Sequence, residues 1–284
     1  SAGEEGSVYG ARDRLLELFL DRYFPAPLAA TPPAIEGAAE DAHAIAGNYD
    51  TSRRVETGFI SLFYLLQQDQ VVANEDGTIS VSSLADKRFR EVSPDLWQEV
   101  GGTRQLRVTK AGGRRAIIDS HNPVSILQAA PASRNGTLFK LVAGFSLLVP
   151  LCTAIVWPVA AWVQRTRQLP PVATGRAALL RRLTRIAVVV NLVYLVGWYL
   201  LLAPMLSSEY SFYNDSINGY IRLLQVGAIL PLIGAILGAW NVWLAFRASQ
   251  GWAVRLRSVI VALALIGFLW FAWIAGFMSW SLNY

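Results

Sequence analysis

Residues 183–206 read LTRIAVVVNLVYLVGWYLLLAPML, and Arg185 is the only charged residue in this run. An α-helix needs about 20 mostly apolar residues to cross the hydrocarbon core of a bilayer. Three further runs of this kind occupy about 138–163, 221–246 and 256–280. The sequence therefore predicts four transmembrane helices within residues 138–284.

The apolar residues are concentrated in that half of the chain. The 284 residues are 54% hydrophobic and only 16% charged, whereas a soluble domain is typically about 25% charged. Residues 1–137, by contrast, contain the acidic, basic and turn-forming residues of an ordinary extramembrane domain. We therefore expect an α+β membrane protein, in which a small antiparallel β meander or barrel is followed by a four-helix transmembrane bundle.

Residues 1–43 are predicted to form an amphipathic helix and an extended linker. The helix is expected over Arg12–Tyr23, where leucines and Phe19 recur at helical spacing. The segment Pro25–Ala39 is rich in proline and alanine, which favours an extended chain.

Residues 44–137 are predicted to form a compact β-domain. Short alternating runs follow one another, separated by glycine pairs and by the turn sequence Asn-Glu-Asp-Gly at 74–77. The predicted strands are 71–73, 78–84, 88–92, 96–100, 105–108, 115–119 and 124–127. The preceding segment, 55–67, fits a helix or a strand.

Arginines define the expected direction of the bundle. The loops between helices one and two and between helices three and four contain many arginines and no acidic residue, whereas the loop 207–220 contains Glu209 and Asp215 and no basic residue. The topology-setting residues are Arg165, Arg167, Arg176, Arg181, Arg182, Arg185, Arg247, Arg255 and Arg257. Cytoplasmic loops are enriched in Lys and Arg, so these loops are predicted to be cytoplasmic. Residues 1–137 and the C-terminus then face the opposite side.

The net charge of +5 does not indicate a nucleic-acid-binding protein. Membrane topology and attraction to anionic lipid headgroups account for the arginines, and no nucleic-acid-binding motif accompanies them. The expected partner of the second half is therefore the lipid bilayer.

The sequence offers no catalytic constellation. His43 and His121 lie in different segments, and no metal-binding, Walker or nucleophile-elbow motif occurs. Within the predicted helices, Asn191, Gln225 and Asn241 are the polar exceptions, and no carboxylate or histidine is present that could relay protons. We therefore predict no catalytic residue, metal ligand or cofactor, and an anchor rather than a transporter.

Individual residues in the predicted helices allow three further predictions about packing and burial. Gly234 and Gly238 have the spacing that lets helices approach closely, either within the chain or in a dimer. Trp198 is expected to belong to an aromatic belt at the membrane boundary. Cys152 is expected to be a small buried residue.

Several stretches resemble a known family. They are AGNYDTSRR at 46–54, DG at 76–77 and EVSPDLW at 91–97, preceded by FLDRYFP at 19–25. These stretches resemble the C-terminal part of bacterial membrane-bound serine hydrolases of the β-lactamase/penicillin-binding-protein superfamily, and the resemblance covers most of the chain. It implies an exported catalytic domain, then a lipocalin-like β-domain, then membrane helices. The S-x-x-K, Y-x-N and K-T-G elements would lie upstream, so no catalytic residue is carried over.

The leading hypothesis is a non-catalytic membrane-anchor and accessory region. It would position a serine-hydrolase domain, of the same gene or a separate chain, at the periplasmic face of a bacterial inner membrane. One alternative is an interaction subunit of a larger inner-membrane complex. The other is binding of a lipid or another apolar ligand by the β-domain.

Overall fold

The computed structural model describes residues 32–84, 87–168, 175–206, 215–248 and 250–282, with Leu15, Leu18, Phe19 and 22–24. Of the predicted helix over Arg12–Tyr23, only Leu15, Leu18, Phe19, Arg22 and Tyr23 are described, and they are helical, whereas the first seven residues of the predicted linker, 25–31, lie outside the described residues. The chain divides into two compact units. The first comprises 1–47 and 70–128, and the second comprises 48–69 and 129–284. The segment 48–69, which we placed in the β-domain, therefore groups with the helices.

Eight antiparallel strands form a closed barrel in which each strand neighbours the next along the chain. They are β1 (Gly47–Thr51), β2 (Asp69–Ala73), β3 (Ile79–Val81), β4 (Arg88–Ser93), β5 (Leu96–Glu99), β6 (Gln105–Ala111), β7 (Arg114–Asp119) and β8 (Asn122–Ala129). This up-and-down order is also the order found in lipocalins. The barrel and the helices that follow it confirm the predicted fold class.

Apolar side chains at alternate positions of the strands point into the barrel and fill its interior. Ile79 in β3 pairs with Phe89 in β4, and Trp97 in β5 pairs with Leu106 in β6. All four are buried, with at most 1% of their surface exposed. The interior of an eight-stranded barrel is just wide enough for side chains to fill it. Bulky residues occupy it here.

The sequence did not predict two elements of the first half. Helix α1 (Ala38–Ile45) lies partly in the segment assigned to the linker, and it begins after Gly37, whose φ is 85°. Strand β1 has Tyr49 as its one large apolar residue, so it shows no alternation that a pattern search would detect. The ambiguous segment 55–67 contains helix α2 (Ser61–Leu66).

Four helical segments are long and apolar enough to cross a membrane. They consist of α3 (Gly136–Thr166), α4 (Gly175–Leu206), α5 (Asn218–Val226) with α6 (Ile229–Arg247), and α7 (Trp252–Ile274). Large apolar side chains are exposed on all of these spans, for example Leu148, Val193, Ile236 and Leu263. A soluble protein rarely exposes contiguous apolar surface on this scale. The protein is a membrane protein.

The bounds of the last two spans differ from the sequence expectation. The third is divided at Gly227 and Ala228 into α5 and α6. The fourth ends at Ile274 rather than near 280, because Gly276 adopts a φ of 74°. The Phe277 N–H donates to the Ala272 carbonyl and the Gly276 N–H to the Trp273 carbonyl, both at 3.0 Å. These two bonds form a Schellman motif, which ends a helix.

One end of the bundle has a dense aromatic core, which we call the packed end. Its buried residues are Phe59, Leu62, Leu65, Phe139, Trp198, Phe268 and Phe277, among others. Trp198 stacks on Phe277, with ring centroids 4.2 Å apart, and lies 5.3 Å from the Phe59 ring. Trp198 is thus fully buried rather than part of an interfacial belt, because two neighbouring rings cover it.

The small residues of α6 pack within the chain. A Cβ added to Gly238 would lie 3.1 Å from the Ala262 Cα, and one added to Gly234 would lie 2.6 Å from the Asn191 amide nitrogen. The G-x-x-x-G spacing therefore brings α6 close to α7 and α4. Cys152, in contrast, is exposed on α3 and not buried, because it lies on the outer face of the bundle.

Candidate functional site

The predicted topology-setting arginines lie mostly in helices rather than in loops. Arg165 is in the last turn of α3 and Arg247 in the last turn of α6. Four are in α4, namely Arg176, Arg181, Arg182 and Arg185, and two, Arg255 and Arg257, are in α7. Only Arg167 follows a helix end directly. The helices continue beyond their apolar runs because arginine is a good helix former whose long side chain reaches toward water.

Three of these arginines line one cavity of about 280 Å³, which we call the arginine pocket. Arg181 and Arg185 reach it from α4, and Arg257 from α7. The spacing of Arg181, Thr184, Arg185 and Val188 places them on one face of α4, and all four line the cavity. The pocket lies at the opposite ends of α3, α4 and α7 from the packed end, and we call this the arginine end.

Neighbouring side chains hold the pocket arginines in place. The Arg181 guanidinium donates to the Gln250 side-chain oxygen. The Arg185 guanidinium lies over the Trp157 ring, 5.2 Å from its centroid, in a cation–π contact. The Ser258 hydroxyl donates to the Val254 carbonyl at 2.8 Å, which leaves its oxygen free to accept.

Among the residues that the structure describes, no acidic side chain lines the arginine pocket. Beyond residue 136 the sequence has only two acids, Glu209 and Asp215, and both lie in or beside the segment that joins α4 to α5. The charge of Arg257 repels both Arg181 and Arg185. The pocket therefore gathers positive charge that no carboxylate of its lining neutralises.

Two other arginines of this end lie against aromatic rings. The Arg247 guanidinium is 5.0 Å from the centre of the Trp243 ring, and that of Arg255 is 5.4 Å from the centre of the Phe246 ring. An amphipathic ring beside a cation is typical of the membrane boundary. Arg165, Arg167, Arg176 and Arg182 are exposed.

The packed end contains arginines that do meet an acid. Asp50 is buried, and its Oδ2 atom lies 3.9 Å from the Nε atoms of both Arg54 and Arg134. The Gln68 amide donates to Asp50 Oδ1 at 2.7 Å, and its oxygen accepts from the Gly136 N–H at 2.7 Å. This network joins β1 to the first turn of α3.

The polar residues predicted inside the helices are buried and have structural partners. The Asn191 amide donates to the Ala187 carbonyl within α4 at 2.8 Å. The Gln225 amide donates to the Ser281 carbonyl at 2.7 Å, and Arg222 lies over the Trp280 ring at 4.5 Å. Gln225 and Arg222 thereby hold the C-terminal segment against α5. Asn241 differs from them, because it lines the arginine pocket.

Besides the exposed Asp76, whose pKa is lowered by hydrogen bonds from Thr78, two carboxyl groups of the barrel unit have shifted pKa values. Burial raises the pKa of Glu91, and the charges of Asp41 and Asp95 add to this effect against an opposing hydrogen bond from the Asp95 N–H. Burial would also raise the pKa of Asp119, but the hydrogen bonds and charge of Arg104 outweigh it, so this pKa is lowered. Neither carboxyl belongs to a metal site.

The histidines lie apart. His43 is in α1 and His121 is in the turn between β7 and β8, and both are exposed. Within the described ranges, no group of three or more His, Cys, Asp and Glu side chains could hold a metal ion.

The comparisons with known proteins add no family. No family model, no curated protein and no solved structure matches this chain. The pocket arginines are among the residues predicted to set the topology, but neither their convergence in one cavity nor the Asp50 network was predicted from the sequence. A signal for the convergence was present in the helical spacing of Arg181, Thr184 and Arg185.

Proposed function

We propose that the chain is a non-catalytic membrane-anchor and accessory region that holds a serine-hydrolase domain of the β-lactamase/penicillin-binding-protein type. In this proposal the anchored domain and the barrel face the periplasm, and the arginine end faces the cytoplasm of a bacterial cell. The hydrolase domain belongs either to the same gene or to a separate chain.

The observation that carries the anchoring role is the packing of 48–69 into the bundle. Phe59, Leu62 and Leu65 share one core with Trp198 and Phe277. The segment that bears β1 and α2 is therefore held by buried side chains and by the Asp50 network. Buried packing of this kind fixes the segment within the membrane unit, which suits an anchor.

The residues that carry the family resemblance have structural roles. Tyr49 and Asp50 are buried in β1, and Trp97 is buried in the barrel. Gly77 and Asp95 have φ values of 73° and 61° in turns between strands. The resemblance is therefore carried by residues of the core and the turns. This is consistent with an accessory region, and it assigns no catalytic residue to this chain.

The packing of the barrel weighs against the carrier alternative. Ile79, Phe89, Trp97 and Leu106 fill its interior, so an apolar ligand would have to displace them. An interaction subunit of another inner-membrane complex remains the second candidate, because the packing of 48–69 into the bundle suits it equally well and it does not need the family resemblance.

Affinity isolation from native membranes in mild detergent tests the hydrolase partnership. The expected result is an S-x-x-K element that reacts with fluorescent penicillin or a fluorophosphonate, either in a co-purifying polypeptide or in the same polypeptide outside residues 1–284. Peptides within 1–284 should remain unlabelled. Label on a residue within 1–284, or isolation with only a non-hydrolase complex, would overturn the proposal.

Cysteine accessibility tests the orientation. In a Cys152→Ala background, a Thr103→Cys variant places a thiol in an exposed barrel loop, and a Gly251→Cys variant places one beside the arginine end. A membrane-impermeant maleimide applied to spheroplasts should label the first variant and leave the second unlabelled until the cells are lysed. The reverse pattern would contradict the proposed direction.

A further inference from the structure

Anchoring does not account for the arginine pocket. A topology signal requires arginines at one side of the membrane, but it does not require three of them to line one cavity. The exposed residues Arg165, Arg167 and Arg182 are sufficient to give this side of the membrane its excess of positive charge. Arg181, Arg185 and Arg257 instead share a cavity of about 280 Å³.

Charge balance indicates what the pocket lacks. Arginine remains protonated in proteins, so the three guanidinium groups bring three positive charges together. Like charges repel one another, and the exposed Arg257 adds its charge to those of the partly buried Arg181 and Arg185 around one cavity. Since the lining contains no carboxylate, an anion from outside the chain would neutralise the cluster.

The donor groups define the class of that anion. A guanidinium presents a planar fork of N–H donors that matches the oxygens of a phosphate. Asn241 and Gln164 add side-chain amides to the lining. The volume lies near the lower limit of about 300 Å³ for ligand pockets, which suits a phosphate with a short polar group rather than an extended cofactor.

We propose that the arginine pocket binds a phosphate-bearing anion. Basic pockets between transmembrane helices bind anionic lipid headgroups, and Trp157, a residue type common at the membrane boundary, lines this one. A phospholipid headgroup and a small soluble phosphate share the required chemistry. This binding site goes beyond the anchoring role and does not depend on a hydrolase partner.

Native mass spectrometry of the full chain tests the proposal. The protein is reconstituted with phosphatidylglycerol in one arm and with phosphatidylcholine in another, and a third arm adds glycerol 1-phosphate or inorganic phosphate to the phosphatidylcholine sample. Retention of phosphatidylglycerol adducts supports a lipid source. Adducts of the soluble phosphates alone support a soluble source. Absence of selective adducts in all arms overturns the proposal.

A double variant and a matched control locate the bound anion. Arg185→Gln with Arg257→Gln removes two pocket charges, and it should reduce the adduct fraction by about tenfold or more. Arg165→Gln with Arg167→Gln removes two exposed charges from the same end, and it should change the fraction by less than about twofold. Equal losses in the two double variants would show only a general attraction of anions to basic residues and would overturn the proposal.

If the variant with Arg185→Gln and Arg257→Gln folds poorly, reversing the charge of Arg257 provides a second test. Arg257→Glu supplies the missing carboxylate next to Arg181 and Arg185, so it should abolish adduct formation while leaving the thermal midpoint equal to or above that of the parent protein. Adduct formation by Arg257→Glu at the parental level would overturn the proposal.

Discussion

The two ends of the helical bundle differ in whether their arginines have an acidic partner. At the packed end, Arg54 and Arg134 lie beside the buried carboxylate of Asp50. At the arginine end, Arg181, Arg185 and Arg257 converge without an acid. The packed end therefore has an acidic counter-charge within the chain, and its aromatic core stabilises the fold. The arginine end is electrostatically incomplete, and such a site is expected to bind rather than to stabilise.

Truncation of the central ring of the packed end should give the largest effect. Trp198→Ala removes a fully buried side chain that contacts Phe59 and Phe277. We expect a loss of about 3–5 kcal/mol in the free energy of unfolding, because the cavity cannot be filled by its aromatic neighbours. This free energy is measured by monitoring unfolding in mixed detergent micelles with circular dichroism. The adjacent Tyr199→Ala, at a residue 66% exposed, should cost less than about 1 kcal/mol. Similar losses in both would contradict the assignment of a core.

Removal of the buried carboxylate should give the next largest effect. Asp50→Asn keeps the size of the side chain and the hydrogen bond from Gln68, but it removes the buried counter-charge of Arg134, while Arg54 keeps its 2.9 Å ion pair with the exposed Glu56. We expect a loss of about 2–4 kcal/mol, since an unpaired buried charge is costly. The control Glu56→Gln removes an acid that is 73% exposed, and it should cost less than about 1 kcal/mol. A neutral Asp50→Asn would show that the packed end does not depend on this charge.

The connection between α7 and the segment before α2 depends on one glycine. Gly276 has a φ of 74°, and a Cβ there would lie 2.2 Å from the Gly58 carbonyl oxygen. Gly276→Ala should therefore cost about 2–3 kcal/mol in unfolding free energy. Gly144→Ala is the matched control in α3, where the space around the added methyl is open and the change should be neutral or stabilising. The comparison fails if both substitutions have the same effect.

The sequence predicted the broad architecture well because its signals are local. Apolar runs defined the four spans, and alternation from Ile79 to Val81 defined a barrel strand. Strand β1 and the burial of Trp198 were missed because both depend on partners distant in the sequence. The arginine pocket was missed for the same reason. Composition places Arg257 at the correct end of the bundle, but only tertiary packing brings it beside Arg181 and Arg185.

A buried acid without an arginine partner, Glu91 in β4, extends the comparison to the barrel. Burial raises its folded-state pKa, so its protonated form is favoured by folding. The parent protein should therefore lose part of its stability as the pH rises from about 4 through the folded-state pKa. Glu91→Gln does not titrate and can keep the hydrogen bond from the Asp95 N–H. We expect its stability relative to the parent to increase as the pH rises from 4 to 7, because only the parent pays for the ionised buried carboxylate.

Thermal unfolding at pH 4, 5, 6 and 7 measures this difference. The control Glu75→Gln removes an exposed carboxylate from the β2–β3 turn and should show no such pH dependence. The lowered pKa of Asp119 makes stability increase with pH, which is the opposite dependence. Because Asp119 is present in the parent and in both variants, its contribution cancels when their stabilities are compared. A Glu91→Gln variant that is less stable at pH 7 than at pH 4, relative to the parent, would contradict the proposed cost of this buried charge.

The smallest effect is expected at the arginine end, and it is the one that distinguishes a binding site from a structural one. Arg185→Gln loses the cation–π contact with Trp157, worth about 0.5–1 kcal/mol, but it also relieves repulsion from Arg257. In phosphate-free buffer and zwitterionic detergent, the unfolding free energy should therefore change by less than about 1 kcal/mol. Added phosphatidylglycerol should then raise the unfolding temperature of the parent more than that of the variant, because only the parent retains the complete pocket. A loss in anion-free detergent as large as that of Asp50→Asn would mean that both ends are structural, and the contrast between them would fail.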